Sequence, residues 1–529
     1  MKEFIQRHAS SVIGILNGFD RMLFRGTLRR LCNVGGLSSF LNFTDVLLKD
    51  FGTYCESLTE RVRTASEAVM QEAGRPIEYL SNASVSKEEV ARKIAKRDAI
   101  EQGPICLLSA VEPCWSYEIH RNRAAKKLEL RSKYRRCLHL YHYMIHPEFG
   151  FMHARLQTWL PFNISVCING REWLSRQMDA AGIGYCRREN CFTDIEDIEK
   201  AQALMDQQLL TNWPGLLGGI ESLVHPLAAE LFGPKSRCPI DRYWSLDQSE
   251  WATDVMFKNA NTLSGLYPRL IRQGIETLGS RDVLRFLGRK IPEGKNAPRG
   301  FKGQVTSSLK DRPEGIRLKH AVNGNSVKMY DKQGSVLRVE TTVNQPREFK
   351  VFRGTEAEPK NRQWRNMRKG IADVHRRAEV SQASNTRYLE SMATVEQATT
   401  IGQALAPLCS PAKHKKLTAR ALRPFDTEDM KLLATVARGE FTINGFRNHD
   451  IRELLFGPDG SKDNPDHAAT KRRRSGQITR KLRMLRAHGL IKKVPKTHRY
   501  LLTAKGKSLV TLLSAAKDAD IKSLISVAA

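Results

Sequence analysis

The sequence predicts a multidomain α+β protein, and three observations support this fold class. The chain has 529 residues, which corresponds to roughly three or four domains of ordinary size. Residues 316–343 contain short apolar runs separated by glycine-containing turns, the pattern of an antiparallel β-meander. Long segments elsewhere repeat apolar residues every three or four positions, as helices that bury one face do. We find no internal sequence repeat.

Residues 1–100 are predicted to be mostly helical, and residues 101–290 to form a mixed α/β body. The first region opens with an apolar stretch, Val12–Phe24, that is either a strand or a helix, and it has helical spacing from Leu37 to Glu72. In the second region, the segments that favour strands are Ile105–Val111, Cys137–His146 and one or two within Phe151–Ile168. Residues 170–290 are expected to be mostly helical.

Residues 291–400 are predicted to hold a basic β-meander followed by a helix. The expected strands are Ile316–Val322, Val327–Asp331 and Val336–Val343, and the expected helix is Lys369–Ala393. A linker that contains Pro and Lys, residues 401–424, then leads to a C-terminal domain, residues 425–529.

The C-terminal domain is strongly basic, because His467–Lys517 contains fifteen Lys and Arg residues and no Asp or Glu. Its first part has the spacing of a helix with a narrow apolar stripe, formed by Ile478, Leu482 and Leu485. Gly489 ends this helix, and Leu490–Thr503 has the pattern of a short hairpin. A helix followed by a basic hairpin is the order of a winged helix-turn-helix domain.

We expect this domain to bind double-stranded DNA through side chains that project away from the apolar stripe. On the helix these are Arg472, Arg473, Arg474, Gln477, Arg480, Lys481 and Arg483, and on the hairpin they are Lys492, Lys493, Lys496, His498 and Arg499. Arginines on a recognition helix can contact guanine edges, whereas cations on a hairpin are suited to neutralising phosphates.

The segment LRMLRAHGLIKKVPKTHRYLLTAKGK, residues 482–507, resembles the recognition helix and wing of MarR-like winged helix-turn-helix domains. The shared features are a Leu-rich helix, a Gly-Leu-Ile step, a basic wing and a closing Tyr-x-Leu-Thr strand. Phe441–Phe456 suits the preceding helix, but Gly457–Thr470 is a longer connection than the three or four residues that usually join such helices. The resemblance implies a DNA-binding domain that covers about a fifth of the chain.

The meander carries the best candidate for chemistry. Asp331 and Glu340 lie on adjacent predicted strands and could approach each other across the hairpin, depending on its register. Two carboxylates beside Lys328, Lys332 and Arg338 could hold Mg²⁺ or Mn²⁺ against a phosphate. The alternative is that the same charges only stabilise the hairpin as ion pairs.

The segment KMYDKQGSVLRVE, residues 328–340, resembles the strand pair of rolling-circle replication initiators from plasmids and filamentous phages. This resemblance implies nicking of one DNA strand by a tyrosine, with Tyr330 or Tyr141 as the nucleophile and Asp331 and Glu340 as metal ligands. Those initiators also use a His-hydrophobic-His pair, for which the nearest segment here is His139–His146.

Other clusters of metal-binding residue types are weaker candidates. Cys186 and Cys191 have a spacing that zinc sites tolerate, and Cys167 and Cys238 could complete four thiolates, but no second close pair of cysteines accompanies them, so zinc is disfavoured. Asp20 lies in an apolar segment with Arg21 and Arg25, and it is either a catalytic acid or part of an internal ion pair. A further acidic group has the spacing of one helix face and consists of Asp247, Glu250 and Asp254.

Composition limits the possible partners. The net charge of +30 and the pI near 9.9 favour nucleic acid, with single-stranded DNA or RNA as alternatives to the duplex. We find no run long enough to span a membrane and no signal peptide, and ten scattered cysteines favour the reducing cytoplasm. Phosphate-binding P-loops and dinucleotide-binding glycine patterns are absent from the sequence.

Together these observations predict a DNA-processing protein of a mobile element or replication system, in which the winged helix finds a site and the body acts on a strand. Two alternatives remain open. One is a non-catalytic transcriptional regulator, and the other is an RNA-binding protein that uses the basic strands of the body. The sequence does not determine the oligomeric state.

Overall fold

The computed structural model describes residues 1–82, 84–289, 303–311, 315–355, 357–393, 402, 405–414, 417–441, 445–457, 467–495 and 497–518. In these residues the protein is a mixed α+β structure built around one large sheet, as the sequence predicts at this level. None of the helices in the described part is both long and apolar enough to cross a membrane.

The central sheet has eleven strands. They are β1 Val12–Leu28, β2 Ile77–Tyr79, β3 Gly103–Asn122, β4 Lys127–His146, β5 Gly150–Gln157, β6 Ile164–Asn169, β9 Arg242–Phe257, β10 Val305–Lys310, β11 Arg317–Val322, β12 Asn325–Lys332 and β13 Val336–Val343. The small hairpin β7 Tyr185–Arg188 and β8 Cys191–Ile195 lies outside the sheet. The spatial order is β10-β11-β12-β13-β9-β1-β6-β5-β4-β3-β2, and only the β2–β3 pair is parallel.

The sheet consists of two halves with the same topology, although the sequence shows no repeat. Outward from the central β1–β9 pair, one half runs β1-β6-β5-β4-β3 and the other runs β9-β13-β12-β11-β10. In each half a long strand is followed by helices and then by four antiparallel strands. Because β1 and β9 are antiparallel, an approximate two-fold axis perpendicular to the sheet relates the halves.

Helices cover the two faces of the sheet unequally. They are α1 Lys2–Arg7, α2 Val34–Phe43, α3 Phe51–Glu72, α4 Lys87–Arg97, α5 Gly170–Ala180, α6 Ile198–Gln207, α7 Trp213–Val224, α8 Ala228–Phe232, α9 Ala260–Glu276, α10 Ser280–Phe286 and α11 Val374–Met392. Helices α2, α3, α7, α9 and α11 pack on one face, where they bury the two largest apolar clusters. Helices α4 and α6 pack on the opposite face, which is polar near its centre.

The predicted meander is confirmed. Its turns show why the local sequence is sufficient to predict it. The β11–β12 turn places Asn323 and Gly324 at φ of 49° and 81°, and the β12–β13 turn places Gln333 and Gly334 at 57° and 75°. Two consecutive positive φ angles are typical of the tight turns that match the twist of a hairpin. The meander is not a separate unit, however, since β13 pairs with β9 in the large sheet.

Two expectations for the body need revision. The segment Arg242–Phe257 was expected to be helical but is strand β9, at the centre of the sheet. The sheet also draws strands from residues 1–100, 101–290 and 291–400, so it joins the three regions that the sequence suggested separately.

Residues 405–518 have a separate apolar core. Its elements are α12 Thr427–Val436, α13 Asn448–Phe456, α14 His467–Ala487, the hairpin β18 Ile491–Lys493 and β19 Tyr500–Leu502, and α15 Ala504–Asp518. Two further two-stranded hairpins lie outside the large sheet: β14 Lys350–Arg353 with β15 Gln363–Asn366, which packs against the body, and β16 Ala412–His414 with β17 Leu417–Ala419, which belongs to this C-terminal region. Ile478, Leu482 and Leu485 are buried, as their spacing predicts.

Candidate metal and phosphate site

The polar face of the sheet carries three rows of paired residues that cross its centre. Residues paired between neighbouring strands point their side chains to the same face. The first row is Lys319, Lys328, Glu340, Ala252 and Gly18, the second is Arg317, Tyr330, Arg338, Asp254 and Leu16, and the third is Ala321, Ser326, Thr342, Glu250, Arg21 and Asn169. Charged groups from five strands are therefore concentrated on one surface.

Three carboxylates converge at the junction of the two halves. Asp20, Glu250 and Glu340 each offer an oxygen, and these oxygens lie within 4.8 Å of one another. Asp20 reaches the cluster because the β1–β9 pairing shifts between Phe19 and Arg21. Such a bulge adds a residue to one strand and re-aims a side chain. In the described part of the chain, no second group of His, Cys, Asp or Glu converges in this way.

Lys328 compensates part of this negative charge. Its Nζ lies 2.6 Å from Oε1 of Glu340 and 3.0 Å from Oε1 of Glu250. Burial disfavours the charged form of Lys328, but the two carboxylates outweigh burial and raise its pKa. Lys328 is therefore a fixed cation, held against two of the three carboxylates.

A second set of ion pairs lies beside the cluster and contacts it through Asp20. The fully buried Arg338 donates to Oδ1 and Oδ2 of Asp254 at 2.6 and 2.9 Å, and to Oδ1 of Asp20 at 3.2 Å. Arg171, from α5, lies 3.0 Å from Oδ2 of Asp254. Asn190, in the β7–β8 turn, donates to both oxygens of Asp20 at 3.2 and 3.0 Å. These contacts fix the orientation of the Asp20 carboxylate.

The protonation of Glu340 is unusual. Burial raises its pKa to about 7, with Glu250 and Asp20 adding repulsion and Lys328 opposing it. The folded protein therefore holds a proton on Glu340 between about pH 4.5 and 7, where an unfolded chain does not. By linkage, this group makes the free energy of unfolding fall as the pH rises through that interval.

Cations surround the side of the cluster that is open to solvent. Arg21 is exposed beside Glu250, and Arg317 and Lys319 are half-buried at the outer ends of two rows. Burial, together with the nearby Lys328 and Arg317, lowers the pKa of Lys319. Carboxylates inside and cations outside form an arrangement that can bind a divalent cation and a phosphate side by side.

The prediction that Asp331 faces Glu340 is wrong. Glu340 pairs with Lys328, whereas Asp331 pairs with Leu337 and lies on the other face of the sheet. Oδ1 of Asp331 accepts a hydrogen bond from the backbone N–H of Gly334, and so closes the β12–β13 turn. The alternation of side chains along each strand is as predicted. The register between the two strands, however, places Asp331 and Glu340 on opposite faces of the sheet, whereas the prediction needs them on the same face. Asp331 is therefore a turn residue, while Glu340 remains in the acidic cluster.

The two candidate nucleophiles differ in position. Tyr330 shares a face and adjacent rows with Lys328 and Glu340, and burial together with the Glu340 charge raises its pKa to about 12. Tyr141 lies on β4, five strands from β13, which is about 24 Å at 4.8 Å per strand. Its hydroxyl donates to Oε2 of Glu112 at 2.6 Å. The structure brings only Tyr330 of these two to the carboxylates.

The sequence identified most members of the cluster but did not join them. Asp20 forms an internal ion pair, as one of its two alternatives predicts, although the partner is Arg338 and not Arg21 or Arg25, and its carboxylate is also one of the three that converge. Glu250 and Asp254 share a face as predicted, but the cause is the alternation of side chains along a strand and not the spacing of a helix. Asp247 does not join them and forms an ion pair with Lys369. Arg171 and Asn190 were missed, since no local pattern links them to Asp254 or Asp20. Reading Arg242–Phe257 with a period of two would have found the Glu250 and Asp254 face.

In the C-terminal region, the expected DNA contacts mostly lie at the surface. Arg472, Arg473, Arg480 and Arg483 are exposed on α14, and Arg474, Gln477 and Lys481 are half-exposed. Lys481 lies 3.0 Å from Oε2 of Glu428. On the hairpin, Lys493 and His498 are exposed and Lys492 and Arg499 are half-exposed, while Lys496 lies outside the described residues.

Comparison with known proteins gives no assignment: no protein-family model, no curated protein and no solved structure matches the chain.

We expect Mn²⁺ to bind the purified protein about tenfold more tightly at pH 8 than at pH 6, because the ion competes with the proton on Glu340, whose pKa is about 7. Isothermal titration calorimetry at both pH values measures this. Glu340→Gln should abolish the binding. Asp331→Asn, the matched control on the other face, should bind as the natural chain does. Equal affinity at the two pH values, or binding that survives Glu340→Gln, would contradict the site.

Proposed function

We propose that this chain is a metal-dependent DNA-processing protein of a mobile element or replication system. The observation that carries the proposal is the convergence of Asp20, Glu250 and Glu340 beside Lys328 on an otherwise charged sheet face. Three oxygen ligands suit Mg²⁺ or Mn²⁺, which prefer carboxylates and keep room for water or phosphate oxygens. A bound divalent cation would polarise a phosphate oxygen.

Stability alone does not account for so many buried charges. The desolvation of an ion pair usually costs as much as its attraction returns, and well-packed apolar residues are often equally stable or better by about 1–4 kcal/mol. Here Asp254, Arg338 and Arg171 are almost fully buried, and they hold Asp20 in place. Shifted pKa values that arise from burial and specific partners are concentrated at functional sites. These facts favour a working site over a structural ion network.

The residues of the site have distinct roles in the proposed reaction. Asp20, Glu250 and Glu340 would hold the cation, while Lys328, Lys319 and Arg21 would bind the phosphodiester. The attacking oxygen forms a bond to phosphorus as the bond to the leaving sugar oxygen breaks. The proton of the nucleophile passes to a carboxylate or to solvent, and the leaving oxygen takes a proton from solvent. Tyr330 is the candidate nucleophile on the chain, and water is the alternative.

The C-terminal region supports DNA as the substrate. Its described elements follow the order of a winged helix-turn-helix domain: α12, α13, the basic helix α14 and the hairpin β18–β19. Asn448 in α13 donates to the Ser475 carbonyl of α14 at 3.0 Å, which ties the two helices together. The apolar stripe of α14 faces the core, so its arginines are left at the surface. We propose that this domain selects the duplex site on which the body acts.

The decisive experiment for the body is strand cleavage. The purified chain is incubated with Mg²⁺ or Mn²⁺ and supercoiled, forked or single-stranded DNA, and products are resolved on denaturing gels. We expect Glu340→Gln and Asp20→Asn to lower the cleavage rate at least 100-fold, because each removes a ligand that stabilises charge in the transition state. Asp331→Asn should cleave normally.

A detergent-resistant protein–DNA adduct that Tyr330→Phe lacks would identify Tyr330 as the nucleophile. Cleavage by Tyr330→Phe without an adduct would identify water. No cleavage on any of these DNA forms, or cleavage that survives both carboxylate substitutions, would contradict the proposal and favour the non-catalytic regulator.

The wing makes a separate prediction. Lys492 and Lys493 lie on β18, where their expected partner is phosphate. Replacing both with Ala should flatten the slope of log affinity against log salt by about 0.9 for each phosphate that is no longer neutralised, measured by anisotropy with duplex DNA. The matched control, Lys49→Ala with Lys96→Ala, removes two exposed lysines of the body. An unchanged slope for the wing variant, or an equal change in the control, would exclude the wing as a phosphate-binding element.

A further inference from the structure

The β3–β4 hairpin extends well beyond its neighbours in the sheet. Strand β4 pairs with β5 only over His139–His146, whereas its pairing with β3 continues to Lys127. Residues 112–137 therefore form a long two-stranded arm. Part of the arm is anchored to the body, since Tyr117 donates to the Leu31 carbonyl at 2.9 Å and Ser116 to the Leu160 carbonyl at 2.6 Å.

One side of this arm exposes large apolar side chains in a regular stripe. Trp115 and Tyr134 are directly paired across the strands, and they are 52% and 63% exposed. Val111 and Pro113, four and two residues earlier on β3, are exposed as well. The alternate residues Cys114 and Ser116 are buried. Over Val111–Ser116 the exposure therefore follows the period of two of the strand, so the exposed side chains share one face, which ends at the fully buried Tyr117.

The stripe continues onto the edge of the sheet. Tyr79 on β2 pairs with Ser109 on β3 and is 59% exposed. Ser109 has the same alternation as Val111, Pro113 and Trp115, so Tyr79 lies at the near end of the same face. Six residues separate Ser109 from Trp115, which is about 20 Å of strand. Three exposed aromatic rings are thus distributed along a surface long enough for about four nucleotides.

The charge of the arm indicates what this surface binds. Residues 112–137 contain eight Lys and Arg and three Asp and Glu. Some of the cations are paired, as in Lys133 with Glu118 at 2.6 Å and Arg131 with Glu129 at 2.8 Å. The cations still outnumber the acids, and Arg136 lies within the stripe, paired with Pro113. Aromatic rings among excess cations are the surface that single-stranded nucleic acids use, because each base has a face to stack and each nucleotide a phosphate to neutralise.

We propose that the face formed by Tyr79, Val111, Pro113, Trp115, Tyr134 and Arg136 binds single-stranded DNA by base stacking. A duplex is the poorer fit, since its bases are already stacked on one another and leave no open faces for the rings. The proposal deepens the proposed function, on which it rests for the choice of DNA as substrate. It assigns the body a binding surface for an unpaired strand, distinct from the duplex-binding C-terminal domain.

The test measures binding in EDTA, so that no cleavage interferes. Fluorescein-labelled dT20 is titrated with the full chain and with Trp115→Ala/Tyr134→Ala, and anisotropy gives the affinities. Loss of stacking on one ring weakens binding about five- to 150-fold, so the double variant should bind dT20 at least tenfold more weakly. Its affinity for a 20-base-pair duplex should stay within twofold. Trp115→Phe/Tyr134→Phe keeps two rings and should bind dT20 within threefold of the natural chain.

The matched control is Phe43→Ala/Leu210→Ala, which removes two exposed apolar side chains elsewhere at 53% and 83% exposure, and should leave dT20 binding unchanged. Unchanged dT20 affinity in Trp115→Ala/Tyr134→Ala would overturn the proposal. An equal loss of affinity for the duplex would also overturn the proposal. The same holds if sedimentation shows that the stripe joins two copies of the chain while dT20 binding persists. Failure here leaves the Glu340→Gln cleavage result unaffected, and failure of the cleavage assay leaves this binding result unaffected.

Discussion

The balance of buried charge at the centre of the sheet constrains the rest of the structure. Four carboxylates, those of Asp20, Glu250, Asp254 and Glu340, lie together with Lys328, Arg338 and Arg171. Removal of one partner from such a network leaves an uncompensated charge and typically costs about 3–5 kcal/mol. The bulge in β1, the register of β12 and β13, and the start of α5 must therefore all be maintained together. The ion pairs of this network join five elements and fix the orientation of its side chains, as a preorganised binding site requires.

The duplicated topology explains where this site lies. Asn169, the last residue of β6, pairs with Arg21, and Val343, the last residue of β13, pairs with Ser249. Arg21 and Ser249 lie one pairing step apart on the β1–β9 pair, so the approximate two-fold axis passes beside the acidic cluster. Carboxylates from both halves, Asp20 on β1 and Glu250 on β9, meet there. The halves differ in what surrounds the axis, because only the β9 half supplies Lys328 and Glu340.

The features that could be predicted from the sequence are those that depend on neighbouring residues. The hairpins of β11, β12 and β13 follow from turns such as Asn323–Gly324, and the buried stripe of α14 follows from helical spacing. The acidic cluster depends on contacts between residues that are 90 to 320 positions apart, on a bulge and on strand register, none of which leaves a local pattern. The expectation that Asp331 approaches Glu340 rests on strand alternation and on an assumed register, but the actual register pairs Asp331 with Leu337 and so places the two carboxylates on opposite faces. Asp247, Glu250 and Asp254 fit a helix by spacing, but the segment has strand partners on both sides.

The most direct test of the central claim is an anomalous diffraction experiment on crystals of the full chain soaked in Mn²⁺ at pH 8. We expect an anomalous peak within about 2.0–2.5 Å of oxygens from Asp20, Glu250 and Glu340. We also expect that Lys328 withdraws from at least one of its carboxylate partners, since a cation takes its place. Absence of a peak between these residues in a soak that labels other surface carboxylates, with Lys328 still bound to Glu250 and Glu340, would show that the cluster is a self-neutralised ion network and would contradict the account.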